Sequence, residues 1–320
     1  MTKTIATLFG CALAALTGAA AAQDFPSKPV KLVIPFAAGG GADTNMRQIL
    51  ADFSRLLQGQ IIIENRPGAN GIIASEFVAR SAPDGYTILV ATNSTHSANP
   101  HLYRKLSYDP LKDFESVGLY GETAPVLLKS AANPAASVKE VIELARQKPG
   151  ALNFAVTNTS SLMATEALKR AAAVSVASVN YKSGPQALTD LVSGQIDFVF
   201  GDMATASGLI KGGRVKPLAV TSARRLSAYP EIPTMAESGV PGVEVLIWGG
   251  LFAPRGTPRE VIVRLNQALN GALRRDDTRV SFAAVGMDPK PSTTDECTQY
   301  VARQYEHWGA LIRGAGIEPE

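Results

Sequence analysis

The sequence predicts a two-domain α/β protein with a ligand cleft between the domains. Three observations predict it: strands alternate with helices over Lys31–Ala91, they do so again over roughly residues 125–225, and a donor-rich turn follows the first strand–helix junction of each half. The 320 residues, 46% hydrophobic and 18% charged, suffice for two domains of ~150 residues.

The first residues read as a cleavable secretory leader. Lys3 is the positive n-region, Ile5 to Leu16 the apolar h-region, and Ala20-Ala21-Ala22 precede Gln23 as a small-residue cleavage site. Removal of residues 1–22 would deliver the chain to the periplasm. The alternative, lipoprotein processing at Cys11, would leave too short an h-region and a second apolar stretch beyond it. After cleavage one cysteine remains, Cys297, which can form no internal disulfide and has no base beside it in sequence; a structural role is expected. A formal charge of +3 without a basic stripe argues against nucleic acid as a partner.

Lys31 to Phe36 reads as the first strand, Gly39-Gly40-Gly41 as a turn, and the following segment as a helix with Met46, Ile49, Leu50, Phe53 and Leu57 at helical spacing. Asp43 or Thr44 is the expected cap. Such a turn leaves backbone N–H groups unpaired at the positive end of a helix dipole, which favours an anion. No bulky or charged side chain in Ala37–Ala42 blocks close approach. The P-loop signature and the third glycine of a dinucleotide fingerprint are both missing, so the anion is smaller than a nucleotide. A plain strand–helix connection remains the alternative for this segment alone.

Ile61–Asn65 is the second strand, Ile72–Arg80 a helix, and Tyr86–Ala91 the third strand, which makes a parallel βαβαβ unit. Thr92–His96 is expected as a loop on the same sheet edge as Ala37–Gly41, because ligands bind at the carboxyl ends of strands in such sheets. Asp109–Phe114 reads as an irregular connection. Strand Ala124–Lys129 and helix Ser137–Gln147 open the second half, with Ser137 and Glu140 as a capping box. Strand Leu152–Val156, polar loop Thr157–Ser161 and helix Leu162–Ala172 repeat the opening in kind, with hydroxyls in place of glycines. Strands at Ser175–Tyr181, Ile196–Phe200 and Val215–Thr221 and helix Pro185–Ser193 complete the unit. Glu244–Pro254 is an extended return to the first half. Helix Pro258–Arg274 is expected to be capped by Thr257, and helix Thr293–Gly314 to carry Cys297, Val301, Tyr305, Trp308 and Ile312 on one face. Two halves, two crossings and an anion-favouring turn on each indicate a hinged binding protein that closes on its ligand.

Several motifs in order carry a family resemblance: Phe25-Pro26-Ser27-Lys28-Pro29, Pro35 to Asp43, Glu64-Asn65-Arg66-Pro67-Gly68-Ala69, Pro83-Asp84-Gly85-Tyr86-Thr87, Asn180 to Gly184, Gly194 to Asp197, and Trp248 to Pro254. Together they resemble the Bug family, the TctC-type extracytoplasmic solute receptors of tripartite tricarboxylate transporters. The resemblance implies a type II periplasmic-binding-protein fold, with residues 23–123 plus 250–320 as domain 1 and 124–249 as domain 2. It implies a small organic carboxylate as ligand, membrane permease subunits as partners, a monomer, and no cofactor or metal. The carboxylate would be held by the loop after the first strand (Phe36, Ala38, Gly39, Gly40, Gly41) and its counterpart (Thr157, Asn158, Thr159, Ser160, Ser161). Thr92, Asn93, Tyr181, Gly184, Asp202 and Trp248 are candidates to read the rest; helix capping is the alternative for Asp202, and core or hinge packing for Trp248. The family's glycine–serine-rich second loop with a following histidine is absent, and Leu162 stands where that histidine is common. A sensor subunit feeding a signalling protein is an alternative, as is a secreted hydrolase. Against the hydrolase, the sequence has no G-x-S-x-G elbow, no H-E-x-x-H and no C-x-x-C, and only three histidines.

Overall fold

The computed structural model describes residues 25–320; the expected leader lies outside the described residues. The opening unit forms as the sequence predicts. Strands β1 (Val30–Ile34), β2 (Ile61–Asn65) and β3 (Thr87–Thr92) are parallel, with β1 in the middle. Helix α1 (Gly41–Leu57) joins β1 to β2, and α2 (Ile72–Ala79) joins β2 to β3. Met46, Ile49, Phe53 and Leu57, one stripe of α1, are fully buried in a cluster with Val30, Leu32 and Ile34 of β1. Each such side chain contributes roughly 1.5–3 kcal/mol by leaving water. The helix stops where Gln58 takes a left-handed conformation, φ 59°, and returns its N–H to Arg55 and Ser54 carbonyls.

The chain then departs from expectation. Ser94–Ala98 is a π-helical turn rather than a loop, continued by the single turn α3 (Asn99–Leu102). Directly after the expected irregular connection, a stretch to which the sequence assigned no element forms a ten-residue strand, β4 (Phe114–Thr123). Its two glycines and four polar residues, Glu115, Ser116, Glu122 and Thr123, hide the strand pattern; its partner lies far along the chain. That partner is β10 (Ile247–Pro254), which lies antiparallel between β3 and β4. With a two-residue edge strand, β11 (Asp288–Pro289), the first sheet has the order β11-β4-β10-β3-β1-β2.

The second sheet has the order β7-β6-β8-β5-β9, built from β5 (Val126–Ser130), β6 (Asn153–Val156), β7 (Ala177–Asn180), β8 (Phe198–Gly201) and β9 (Val215–Val220). Its helices are α4 (Val138–Gln147), α5 (Thr159–Ala172), α6 (Gly184–Ser193) and α7 (Met203–Lys211). The chain passes between sheets from β4 to β5 and from β9 to β10. After β10 come α8 (Arg259–Leu273), α9 (Asp276–Ala284), which the sequence pattern did not indicate, and α10 (Thr294–Gly314).

One cap here differs from expectation. Pro258, not Thr257, precedes the first residue of α8, and the Thr257 hydroxyl instead donates to the Pro254 carbonyl at 2.7 Å. Thr293 caps α10 in a full box with Glu296. Cys297 and Val301 of α10 pack in the cluster that contains Trp248, whereas Trp308 and Ile312 belong to the cluster around Phe154 and Leu168 of the second sheet and its helices.

Candidate functional site

A cavity of about 70 Å³ lies between the two sheets. Its walls are helix beginnings. Gly40, Gly41 and Ala42 open α1; Asn158 and Ser160 open α5; Ser183 and Gly184 open α6; Asp202, Met203 and Ala204 open α7. The first intrahelical bond of α1 is Thr44 N–H to Gly40 C=O, 2.9 Å, and that of α5 is Leu162 N–H to Asn158 C=O, 3.1 Å. The N–H groups before these have no acceptor within the helix. Four positive dipole ends therefore meet at one small space, which selects for an anion. Asn93 and Ser94, just after β3, complete the wall, so the ends of β1 and β3 share an edge as expected.

The turn before α1 is braced by Asp43. This residue does not cap the helix: Gly40 precedes the helix and Asp43 sits in its first turn. Its nearly buried carboxylate accepts from the Gly39 N–H at 2.9 Å, from Asn65 Nδ2 at 3.1 Å, and in two bonds from Arg47 at 2.9 and 3.0 Å. Burial pushes its pKa up, but these donors outweigh it and hold the carboxyl below the usual range. Asn65 also donates to the Phe36 carbonyl at 3.0 Å, so the turn is fixed at both ends.

On the other side, the expected loop Thr157–Ser161 is largely the first turn of α5. Asn158 Oδ1 accepts from the Ser161 N–H (3.0 Å) while Ser161 Oγ accepts from the N–H groups of Asn158 (3.1 Å) and Thr157 (2.8 Å). Ser161 is thus used inside the cap and does not line the cavity. Thr159 and Ser160 instead reach across to the first sheet's side: Asn93 Nδ2 donates to Ser160 Oγ at 2.8 Å, and Asn70 Nδ2 to Thr159 Oγ1.

Of the sequence candidates, Phe36, Gly40, Gly41, Thr92, Asn93, Thr157, Asn158, Ser160, Gly184 and Asp202 line this cavity. Thr159 and Tyr181 line an adjoining groove of about 1080 Å³, which shares Phe36, Ala37, Thr157 and Asn158 with the cavity. Ala38 and Gly39 are exposed on the outside of the turn. Trp248 is fully buried against Phe252 and Tyr300, away from the cavity, because β10 turns it into the core. His96 is likewise fully buried between Phe114 and Phe252, and desolvation pushes its pKa down to about 3. Sequence reasoning missed Asn45, Tyr120, Thr123, Thr205 and Met287. Asn45, a buried polar residue beside Met46 on α1, was the one available signal.

Three buried oxygens at the cavity have no hydrogen-bond partner: Asn45 Oδ1, Thr92 Oγ1 and Thr205 Oγ1. Asp202 also faces it. This residue occupies the N-cap position of α7 but its side chain makes no cap bond. Its carboxylate lies against α1 instead; a Cβ on Gly41 would stand 2.9 Å from Asp202 Oδ2. Desolvation there pushes the Asp202 carboxyl up to about 6. Cys297 is buried and desolvation pushes its thiol up to about 12, consistent with packing. Among the described residues no group of His, Cys, Asp and Glu could hold a metal, and no helix is long and apolar enough to cross a membrane.

Comparison with known proteins agrees with this architecture. Rpa4515 of R. palustris, solved with adipate, is 33% identical and superposes with a TM-score of 0.90 over 93% of this chain and 100% of that one. MatC (Rpa3494) of Rhodopseudomonas palustris, solved with bound malate, is 34% identical with a TM-score of 0.84 over 90% and 100%. The periplasmic binding protein BugD is 31% identical with a TM-score of 0.87 over 92% and 100%. The family model for the tripartite tricarboxylate transporter family receptor, TctC, matches residues 45–317. The chain is therefore a solute-binding receptor of the TctC family, of the Bug type, with the two-domain periplasmic-binding-protein fold.

Proposed function

We propose that this receptor captures a small organic carboxylate in the periplasm and presents it to the membrane permease subunits of a tripartite tricarboxylate-type transporter. The observation that carries the reading is the meeting of four helix N-termini at one small cavity between the sheets. Oriented N–H groups hold a carboxylate without a buried counter-ion. The cavity has room for roughly five waters, enough for a carboxylate head and a few further atoms. The adjoining groove offers the rest of a longer ligand a path past Phe36 and Thr157. Adipate and malate in the relatives belong to this chemical class.

In this reading the ligand contacts are Phe36, Gly40, Gly41, Thr92, Asn93, Asn158, Ser160, Gly184 and Asp202. Residues 23–123 plus 250–320 move as one body and 124–249 as the other, about the β4–β5 and β9–β10 crossings. The leader 1–22 directs export, and the protein acts as a monomer.

A thermal-shift screen of the mature protein against mono-, di- and tricarboxylates, each with its amide, tests the reading. A ligand specific for the native state raises the melting temperature by mass action. A rise for an acid and none for its amide supports carboxylate capture; no rise for any acid, repeated after unfolding and refolding to clear prior ligand, overturns it. Loss of uptake on deleting the permease genes supports transport, and unchanged uptake overturns that part.

A further inference from the structure

Asp202 is out of place in an anion site. Four helix N-termini attract negative charge to the cavity, and a desolvated carboxylate on its wall repels it. An Asp at an N-cap normally accepts from the second or third N–H of its own helix, which stabilises the helix end. Asp202 forgoes that bond, and among the described residues no cation or donor partners its side chain. It is held instead against Gly41, whose missing side chain leaves the space the carboxylate fills. Tyr120 of β4 is close enough to feel its charge, and Lys182, whose side chain points to solvent at the rim, makes no ion pair with it. An acceptor this desolvated and this free marks where a ligand donor belongs.

We infer that Asp202 selects ligands bearing a hydrogen-bond donor, a hydroxyl or an ammonium, next to the captured carboxylate. The helix N-termini take the carboxylate and Asp202 takes the donor, so the cavity is complementary to a 2-hydroxy or 2-amino acid rather than to an unsubstituted one. Leaving this half-buried acceptor without a donor is what penalises the unsubstituted acid. The inference rests on the carboxylate reading of the cavity and names the substrate class within it.

Calorimetry tests it with matched acids that differ only at C2. Suitable sets are succinate, malate and aspartate; glutarate, 2-hydroxyglutarate and glutamate; and phenylpropanoate, phenyllactate and phenylalanine. In at least one set a substituted acid should bind 10-fold or more tighter than its unsubstituted parent. Asp202→Ala should shrink that ratio to within about threefold. Asp202→Asn should do the same if the donor is ammonium, but retain much of the ratio if it is hydroxyl, because the amide oxygen still accepts. Parents that bind as tightly as their substituted forms, or a ratio that survives Asp202→Ala, would overturn the inference while leaving carboxylate capture intact. Binding of no acid in any set would overturn both.

Discussion

Asn93 Nδ2 and Ser160 Oγ, 67 residues apart in the chain, are joined by a 2.8 Å hydrogen bond that spans the cleft. Asn93 follows the last residue of β3 in the first sheet, and Ser160 belongs to the first turn of α5 over the second. In the hinged reading proposed above, the bond can form only while the two lobes are together, so it would favour the closed state over an open one. A hydrogen bond of this kind is worth about 1 kcal/mol. Ser160→Ala should therefore weaken binding of the best acid about fivefold, chiefly through faster dissociation, with the melting temperature of the free protein nearly unchanged. Stopped-flow displacement measures the rate; an unaltered dissociation rate would show that the bond does not hold the cleft shut.

Gly41 gives a sharper steric test. Its backbone is helical, so alanine is welcome there on conformational grounds. Yet a Cβ would lie 2.9 Å from Asp202 Oδ2 across the cleft. Gly41→Ala should lose 10-fold or more in affinity without loss of thermal stability. Adding Asp202→Ala should return part of the loss for an unsubstituted acid. Additive losses in this double-mutant cycle would mean that the two residues do not meet.

Asp202 also makes stability depend on pH in a stated direction. Its carboxyl titrates near 6 in the folded protein, against an ordinary value of 3.8. Between these values the native state binds more protons than the unfolded one, so stability is greatest below about pH 4 for this group and is lost as pH rises through 6. Asp202→Asn removes the dependence. Its unfolding free energy should exceed that of the wild type at pH 7.5 by on the order of 1–3 kcal/mol, and the difference should vanish at pH 4. Denaturant melts at the two pH values check this.

Asp43 behaves in the opposite sense. Its folded pKa is depressed, so its contribution is present above the ordinary carboxylate pKa and is lost as pH falls through the folded value. Asp43→Ala should destabilise by about 1–3 kcal/mol at pH 7, because it strands the Gly39 N–H and Asn65. It should also weaken ligand binding, since the turn that aims the α1 N–H groups is no longer tied. Full affinity in a variant that is destabilised would separate the brace from the site.

What could be read from the chain was what is local. The strand–turn–helix units at 30–57 and 153–172 announce themselves through apolar runs, breakers and helical spacing, and both supply cavity walls. What could not be read depends on distant partners. β4 carries Gly118, Gly121 and four polar residues, and becomes a strand because β10 and β11 pair with it. Thr159 and Ser160 look like loop residues, since short polar side chains favour caps and turns, and only the Asn158–Ser161 box reveals that a helix has begun. Tyr120, Thr123 and Met287 come to the cavity from the crossing strand and the segment after α9, neither of which has a binding motif. Asp202 could be read as a cap or a ligand group from its position; its rotamer, aimed away from its own helix, decides for the cavity.

Helix α10 begins on the first sheet and ends on the second. Cys297 and Val301 are anchored beside Trp248, Trp308 and Ile312 sit among the residues around Phe154, and the Arg170 guanidinium of α5 grips the Gly314 carbonyl. If the lobes swing about the two crossings as proposed, this rod would limit the swing as a check strap limits a door. The arc of travel is then set at the back of the molecule rather than at its mouth. Two receptors with the same cavity residues could admit solutes of different bulk simply by differing near Trp308.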